Sequence, residues 1–150
     1  MNGDIIVFDL DGTIADCSHR LHHIKGTVKD WEAFHAACHA DAPIMPVIRL
    51  MEALYEAHHP VEIWTGRDDT TAEATRRWLQ DWGKIYGHGI PIRMRQHGDH
   101  TEDHILKARW LADLRATGRD VAMAFEDRAR VVKMWRAHGV QCFQVCEGDF

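Results

Sequence analysis

The stretch DIIVFDLDGT, residues 4–13, decides the fold. Its apolar core, Ile5–Phe8, is bounded by polar residues, a pattern typical of a short strand buried on both faces of a sheet. Asp9 and Asp11 follow directly, at the edge where a parallel α/β sheet builds its sites. Gly12 permits the chain to turn sharply there. The stretch therefore predicts the first strand of a parallel sheet with an acidic site at its carboxyl end.

The carboxylates of Asp9 and Asp11 predict a divalent cation. Two carboxylates that close repel each other unless a cation is shared between them, and magnesium prefers carboxylate oxygens as ligands. The alternative is an ordinary turn, because Asp-Gly is common after strands. The motifs found further along the chain argue against that alternative.

Four more apolar runs alternate with helical patterns. The five predicted strands are Ile5–Phe8, Val61–Trp64, Ile90–Met94, Val121–Phe125 and Gln141–Val145. The predicted helices are Met45–Ala57, Thr70–Trp82, Thr101–Leu114 and Arg128–Ala137, the last two closed by Gly118 and Gly139. This alternation predicts an α/β, Rossmann-like three-layer sandwich. Its mostly parallel five-stranded sheet would carry helices on both faces.

The segment Ala15–Pro43 departs from the alternation. It is too long for a simple connection, it is rich in histidine, and it contains one helical stretch, Asp30–Phe34. Because it follows the acidic pair, we expect residues 15–43 to form a small helical cap over the catalytic edge. No repeat or linker divides the rest, so residues 1–150 are expected to form one domain.

Composition narrows the function classes. The 150 residues are 45% hydrophobic and 27% charged, which fits one domain with a buried core. The net charge of −5 argues against tracking along nucleic acid, since phosphate contacts need cations, so any such contact is expected to be local, at a strand end. We find no signal peptide and no apolar run of membrane length, and therefore expect a cytoplasmic protein without membrane contact.

The four cysteines and twelve histidines do not predict a zinc site. No cysteine spacing typical of zinc and no His-Glu-x-x-His motif occurs. Cys142 and Cys146 lie within and just after an apolar run, and we expect both to be buried free thiols.

Three further motifs suit a phosphate site. Thr65-Gly66 follows the second strand, where a hydroxyl and a free backbone N–H can bind a phosphate oxygen. Lys107 lies four residues after Asp103 on one helical face, a spacing that is also typical of an exposed ion pair. Glu126-Asp127 ends the fourth strand, where the second carboxylate could simply cap the next helix. Because the carboxyl ends of parallel strands meet at one edge, we expect these motifs to lie together.

In this order the motifs resemble those of the haloacid-dehalogenase-like hydrolase superfamily. Asp9–Thr13 resembles its first motif, Thr65 its second, Lys107 its third and Glu126-Asp127 its fourth. Within that superfamily an aspartate two residues after the nucleophile, here Asp11, is typical of phosphatases and phosphotransferases. The resemblance implies a magnesium-dependent phosphatase.

A narrower resemblance, to the 3′-phosphatase domains of bacteriophage-type polynucleotide kinases, runs along nearly the whole chain. It is strongest at residues 126–136 and extends to Thr65–Arg67 and Gly98-Asp99. Arg20 stands where that family carries an arginine after its first motif. Glu126 departs from the family, which has a second aspartate there. The longer side chain implies a place outside the direct ligands of the metal.

The resemblance implies the following roles in catalysis. Magnesium would be held by Asp9, by the backbone carbonyl of Asp11 and by Asp127. Asp9 would attack phosphorus to form an aspartyl-phosphate. Asp11 would protonate the leaving 3′-oxygen and then deprotonate the water that hydrolyses the intermediate.

The remaining residues are expected to bind the phosphate and the substrate. Thr65-Gly66 and Lys107 would stabilise the phosphoryl oxygens. Asp103, one helical turn before Lys107, would orient its ammonium. Arg20 and Arg67 would hold the sugar or a neighbouring phosphate.

The function implied is removal of 3′-phosphates from DNA or RNA ends and from 3′-nucleotides. No Gly-x-x-x-x-Gly-Lys-Ser/Thr loop occurs, so we do not expect kinase activity, and a separate kinase or ligase is a possible partner. Two alternatives stay open: a phosphatase of nucleotides or small metabolites, and a non-catalytic phosphate-binding module. The net acidity and the short cap favour the former. A basic path from the site would favour polynucleotides, and its candidates are Arg67, Arg76, Arg77, Arg93 and Arg95.

Overall fold

A parallel sheet forms the centre of the protein in the computed structural model, which describes residues 3–83 and 89–148. In chain order the strands are β1 Ile5–Phe8, β2 Ala15–Asp16, β3 Ala42–Pro43, β4 Val61–Asp68, β5 Ile92–Arg95, β6 Val121–Arg128 and β7 Gln141–Gly148. Five of them pair in the order β5-β4-β1-β6-β7, and every pairing is parallel. β1 is therefore central, as its uninterrupted apolar sequence predicts.

Helices pack on both faces of this sheet. They are α1 Trp31–Ala36, α2 Met45–Glu56, α3 Ala72–Trp82, α4 Asp103–Ala116 and α5 Ala129–Ala137. One buried apolar cluster joins the sheet to α4 and α5 around Trp64, Trp110 and Trp135. A second joins the opposite face to α2 and α3 through Phe8 and Trp78. The predicted three-layer α/β sandwich is confirmed.

The bounds of several elements differ from those expected. β4 runs four residues further than predicted, and β6 and β7 three, because pairing resumes after a register shift beyond the apolar run. α3 begins two residues late because residues 69–71 form a 3-10 turn, in which Asp68 accepts a 2.9 Å hydrogen bond from the Thr70 N–H. β5 begins after Pro91, which has no N–H to donate. Gly118 and Gly139 follow their helices with φ of 83° and 78°, as predicted.

The segment between β2 and β3 forms the small helical cap. The two short strands pair antiparallel at its base, and α1 lies between two 3-10 helices, Ser18–His23 and Ala37–Ala40. Asp30 starts α1 by accepting a 2.9 Å hydrogen bond from the Ala33 N–H. Cys17, Ile24 and Phe34 form the cap's own apolar cluster. The cap therefore has a core that is separate from the two layers of the main sheet.

All four cysteines are free thiols, and Cys142 is buried as expected. The expectation that Cys146 is buried is wrong, because β7 is an edge strand and exposes this thiol to solvent. None of the helices that the structure describes is long and apolar enough to span a membrane.

Candidate active site

The carboxyl ends of β1, β4 and β6 bring the predicted residues to one edge of the sheet. Asp9 continues β1, and its N–H donates to the carbonyl of Phe125 on β6 at 3.0 Å. Gly12 takes a φ of 84°, which lets the chain turn directly above the strand. The side chains that converge here from four different elements are all buried; they are Asp9, Thr65, Lys107, Glu126 and Asp127.

Lys107 links the first and fourth motifs. Its ammonium donates to Asp9 Oδ1 at 2.6 Å and to Glu126 Oε2 at 2.9 Å. The other oxygen of Glu126 accepts from the N–H groups of Asp127 at 3.2 Å and Arg128 at 3.3 Å. Both oxygens of Glu126 therefore bind protein groups, which is the geometry of a residue that holds Lys107 in place.

Asp103 does not make the contact that the sequence analysis assigned to it. Its carboxylate accepts from Arg95 Nη2 at 3.2 Å and from Arg128 Nη1 at 3.5 Å. It also lies so close to Gly66 that any Cβ there would collide with it. One turn of spacing does put Asp103 and Lys107 on one side of α4, but Glu126 reaches the ammonium from the sheet. Asp103 acts on Lys107 through its charge, which helps to raise the pKa of the ammonium.

A cluster of hard oxygen ligands stands beside Lys107. One oxygen each from Asp9, Glu126 and Asp127 lie within 4.8 Å of one another. Within the part of the chain that the structure describes, Asp127 Oδ2 is buried and has no hydrogen-bond partner. Gly12 and Gly148 frame this oxygen so closely that a Cβ on Gly148 would lie 2.6 Å from it. An orphaned carboxylate oxygen in such a cradle fits magnesium.

The charges of these side chains also favour a magnesium ion in this cluster. Burial and mutual repulsion raise the pKa of Asp9, Glu126 and Asp127 to about 7 each. Burial opposes ionisation of Lys107, but the neighbouring carboxylates outweigh it and raise the pKa of the ammonium. Three ionised carboxylates around one ammonium leave two negative charges in excess, which a divalent cation would neutralise.

Asp11 faces two arginines. Arg67 Nη2 donates to Asp11 Oδ1 at 2.7 Å, and Arg20 Nη2 donates to the same oxygen at 2.6 Å. Burial alone would raise the pKa of Asp11, but the charges of Arg67 and Arg20 outweigh it and lower the pKa to about 2. Asp11 is therefore ionised in this structure, and both guanidinium groups contact the residue predicted to act as acid and base.

Asp41, which the motifs did not predict, holds these two arginines. Asp41 Oδ2 accepts from Arg20 Nη2 at 2.7 Å and from Arg67 Nη2 at 2.8 Å. Asp41 Oδ1 accepts from Arg20 Nε and lies 2.8 Å from His19 Nε2. Thr75 adds a hydroxyl acceptor for Arg67 at 3.0 Å. The only signal for Asp41 in the sequence is one acidic residue between alanines where the cap returns to the domain.

Thr65-Gly66 lies where a phosphate oxygen was expected to bind. The Thr65 hydroxyl is buried within β4, where the regular pairing with β5 is interrupted, and it accepts from the Arg67 N–H at 3.1 Å. Arg95 donates to the Gly66 carbonyl at 2.9 Å and so helps to fix this part of β4. Thr65-Gly66 and the ammonium of Lys107 both lie toward the edge of the sheet that carries Asp9.

Residues 3–150 match the family described as the polynucleotide kinase PNKP phosphatase domain. The chain belongs to this family. The resemblance of its motifs to haloacid-dehalogenase-like phosphatases is thereby confirmed, and the chain is a phosphatase domain.

Its relatives are parts of larger proteins. A protein of Autographa californica nuclear polyhedrosis virus, assigned as a bifunctional polynucleotide kinase/RNA ligase, is 25% identical over 143 residues, 94% of this chain and 19% of that protein. Chains in two structures of the Pnkp1/Rnl/Hen1 complex, one described as an RNA repair complex, are similar at 24% and 26% identity. Their TM-scores are 0.79 and 0.77, over 98% of this chain and 43% and 47% of those chains. The chain thus spans less than half the length of these relatives.

The fold also occurs in phosphatases of small molecules. The D,D-heptose 1,7-bisphosphate phosphatase of B. bronchiseptica, solved with magnesium and phosphate, has a TM-score of 0.57 at 17% identity. That match covers 95% of this chain and 80% of the heptose phosphatase. At this identity the similarity shows the fold alone.

The basic path that would favour a polynucleotide substrate is not formed by the five arginines named as its candidates. Arg67 is buried in the site, and Arg95 donates to backbone carbonyls. Arg93 lies over the rings of Trp64 and Trp110 at 5.3 and 5.4 Å. Of the five candidates, only Arg76 and Arg77, on α3, are exposed.

Proposed function

We propose that this phosphatase removes 3′-phosphates from DNA or RNA ends and from 3′-nucleotides, with magnesium and through an aspartyl-phosphate on Asp9. The observation that carries the proposal is the pairing of Asp9 with Lys107, next to the doubly arginine-bound Asp11. A nucleophile, a cation for the transferred charge and an acid–base group thus share one buried edge. Membership of the PNKP phosphatase family supports the 3′-phosphate as substrate.

Asp9, Asp127 and the backbone carbonyl of Asp11 would hold the magnesium ion. Bound there, it would neutralise phosphate charge and orient the ester for in-line attack. The unpartnered Oδ2 of Asp127 supports this assignment. We propose that Glu126 stays outside the direct ligands, since both of its oxygens already bind protein groups.

The protein groups then carry out the transfer. A carboxylate oxygen of Asp9 forms the bond to phosphorus, and the bond from phosphorus to the 3′-oxygen breaks. The charge that spreads over the phosphoryl oxygens faces Lys107 and Thr65-Gly66. Asp11 gives a proton to the leaving oxygen and later takes one from the water that attacks phosphorus. That attack breaks the bond from phosphorus to Asp9, which becomes a free carboxylate again.

For Asp11 to act as an acid, Arg20 and Arg67 must also form hydrogen bonds to the substrate. Arg67 and Arg20 hold Asp11 ionised in this structure. An anionic substrate that takes hydrogen bonds from these guanidinium groups would weaken that hold and raise the pKa of Asp11. We propose that substrate binding in this way prepares Asp11 to donate its proton.

A phosphatase of free nucleotides or small metabolites is the second candidate. The net charge of −5 and the burial of Arg67 favour it, because neither suits an extended contact with nucleic acid. A contact confined to the terminal nucleotide is compatible with both observations. We therefore retain the 3′ end of a polynucleotide as the preferred substrate.

We further propose that the chain works in the cytoplasm beside a separate kinase or ligase. Support comes from the relatives: one is assigned as a kinase/ligase, and others occur in a Pnkp1/Rnl/Hen1 complex. Copurification and stimulation of end repair by a candidate kinase or ligase test this pairing.

The central experiment compares steady-state rates with magnesium on three substrates. These are a 3′-phosphorylated oligonucleotide, a 3′-mononucleotide and a 5′-mononucleotide. The first two should be hydrolysed and the third largely spared, because a misplacement of about 1 Å can cost on the order of a hundredfold in rate. Faster hydrolysis of the 5′-nucleotide would contradict the proposal.

A further inference from the structure

The cap carries an exposed aromatic surface. Trp31, in the first turn of α1, is 44% exposed although it is one of the largest apolar side chains in the chain. Its ring lies 6.1 Å from that of His35 with an interplanar angle of 28°. It meets the buried ring of Phe34 edge-on at 5.7 Å. Trp31 is thus held by two aromatic side chains of α1 while much of its ring remains exposed to solvent.

This surface is continuous with the acid–base position. The Arg20 guanidinium lies 4.2 Å from the centroid of the Phe34 ring and donates to the Phe34 carbonyl at 3.1 Å. The same guanidinium binds Asp11. Burial lowers the pKa of His35, and the charges of Asp11 and Arg20 both reach its imidazole. The exposed ring of Trp31 is therefore connected to Asp11 by three successive contacts, through Phe34 and Arg20.

Because the net charge of the protein is negative, affinity for nucleic acid has to come from contacts other than ion pairs. Nucleic-acid contacts usually draw affinity from cations along the backbone, but the net charge here is −5 and Arg20 and Arg67 are buried. Aromatic side chains supply affinity without charge, because every base has a π-face that can stack on them. Lys29 Nζ lies 5.8 Å over the Trp31 ring, where a flexible lysine is readily displaced.

We propose that Trp31, together with His35, is the surface on which a nucleobase of the substrate stacks, so that the cap selects nucleotide ends over other phosphate esters. This inference rests on the proposed function and names its specificity-determining residue. Arg20 would connect base stacking with proton transfer, since it binds Asp11 on one side and the ring of Phe34 on the other. The site would accept any base, because stacking contacts the face of the base and not the edge that distinguishes one base from another.

Three substrates and three variants test this inference. The substrates are a 3′-phosphorylated oligonucleotide, the same oligonucleotide with an abasic terminal nucleotide, and p-nitrophenyl phosphate. The variants are Trp31→Ala, Trp31→Phe and, as the matched control, Trp82→Ala, which removes a 45% exposed tryptophan at the end of α3. Trp31→Ala should raise KM for the base-bearing oligonucleotide about tenfold and leave kcat unchanged.

The same variant should leave the abasic oligonucleotide and p-nitrophenyl phosphate unchanged, Trp31→Phe should restore most of the affinity, and Trp82→Ala should resemble wild type. An unchanged KM in Trp31→Ala, or an equal increase for the abasic oligonucleotide, would overturn the inference while the proposed function stands. A wild-type protein that hydrolyses p-nitrophenyl phosphate but no 3′-phosphorylated end would overturn both.

A spectroscopic measurement separates stacking from a purely structural role. A 3′-phosphorylated oligonucleotide with 2-aminopurine as its terminal base should lose fluorescence when it binds the Asp9→Asn protein. Adding Trp31→Ala should abolish that quenching even at saturating protein, whereas adding Trp82→Ala should preserve it. Undiminished quenching in the Trp31→Ala background would exclude Trp31 as the stacking surface.

Discussion

Glu126 lies 2.9 Å from the ammonium of Lys107 and contacts it from the sheet, while Asp103, on the same helix as Lys107, binds arginines instead. The lysine is thus shared between Asp9, the proposed nucleophile, and a second buried carboxylate. A lysine held by two carboxylates stays charged and fixed in direction, as the proposed stabilisation of the phosphoryl group requires. Glu126 is therefore a positioning residue for Lys107.

Glu126→Gln should lower kcat about 10- to 100-fold with little change in KM. The amide keeps the size of the side chain but removes the charge that holds Lys107. Because that charge also helps to raise the pKa of Lys107, the basic limb of the kcat profile should move to lower pH.

Steady-state kinetics over a range of pH measures both effects, with the exposed Glu56→Gln on α2 as the control. A loss of kcat with an unshifted basic limb would point to damage to the fold and would count against a positioning role.

Asp9→Asn should abolish turnover, with a loss of at least about a thousandfold, because it removes the attacking oxygen while keeping the shape. The fold should persist, since Lys107 retains Glu126 as its partner. Phosphate release and thermal unfolding of one preparation measure the two effects. Asp113→Asn, which changes an exposed carboxylate far from the site, is the control. Retained activity in a clean Asp9→Asn preparation would refute Asp9 as the nucleophile.

Chelation should abolish activity and leave the protein folded. Carboxylate sites hold magnesium loosely, unlike a closed zinc site that supports the fold. Activity should return with added magnesium, while the unfolding transition in EDTA remains cooperative. A collapse of the melting temperature on chelation would instead indicate a structural metal held by histidine and cysteine.

Without metal, the stability of the protein should fall as the pH rises from about 5 to 8. Asp9, Glu126 and Asp127 have a folded-state pKa of about 7, above their ordinary values near 4. In this range the folded state binds more protons than the unfolded state, so the free energy of unfolding decreases with pH. Thermal unfolding in EDTA at several pH values measures the decline.

Magnesium should reverse this decline, because it binds the ionised carboxylates of the folded state. The stabilisation by mass action is about 2.7 kcal/mol at a hundred times Kd, and it should be larger at pH 8 than at pH 5. Asp9→Asn should show a shallower pH dependence in EDTA. Sodium chloride at equal ionic strength is the control. A magnesium shift that is independent of pH would show that the cation binds elsewhere.

The sequence predicts well which strands bring residues to the site, because an apolar run directly before a polar residue is visible in the sequence. The apolar run before Asp9 and the one before Thr65 identify buried strands, and parallel pairing then forces their ends together. Asp41 escaped prediction because its partners, Arg20 and Arg67, are brought to it only when the cap folds back. No spacing or periodicity encodes such a contact.

The error at Asp103 has the same origin. Helical spacing correctly places Asp103 and Lys107 on one side of α4, but it contains no information about Glu126, which approaches from the sheet. The role of Arg95 was missed in a similar way. It was a candidate for a cationic path, yet its guanidinium donates to the Gly66 carbonyl within β4. Long-range polar contacts inside the site required the structure.

Arg67 is buried against Asp11 and Asp41, so its replacement by alanine would leave buried carboxylates short of a partner and cost about 3–5 kcal/mol of stability. Arg67→Lys is the cleaner variant, because it keeps the charge but loses the planar fork that bridges the two carboxylates. It should lower kcat/KM on a 3′-phosphorylated nucleotide more than on p-nitrophenyl phosphate. The nitrophenyl ester has no sugar to hold and a leaving group that needs no proton.

Phenyl phosphate separates the two ways in which Arg67 could act. It has no sugar, but its poor leaving group needs the proton of Asp11, so a role through Asp11 alone would damage phenyl phosphate and the nucleotide equally. We expect the nucleotide to lose most, because Arg67 is also proposed to hold the sugar of the substrate. Asp41→Asn should reproduce this pattern, and the double variant should lose less than the sum of the two, with a coupling of about 0.5–3 kcal/mol. Equal losses on all three esters would assign Arg67 to the transferred phosphate instead of the sugar.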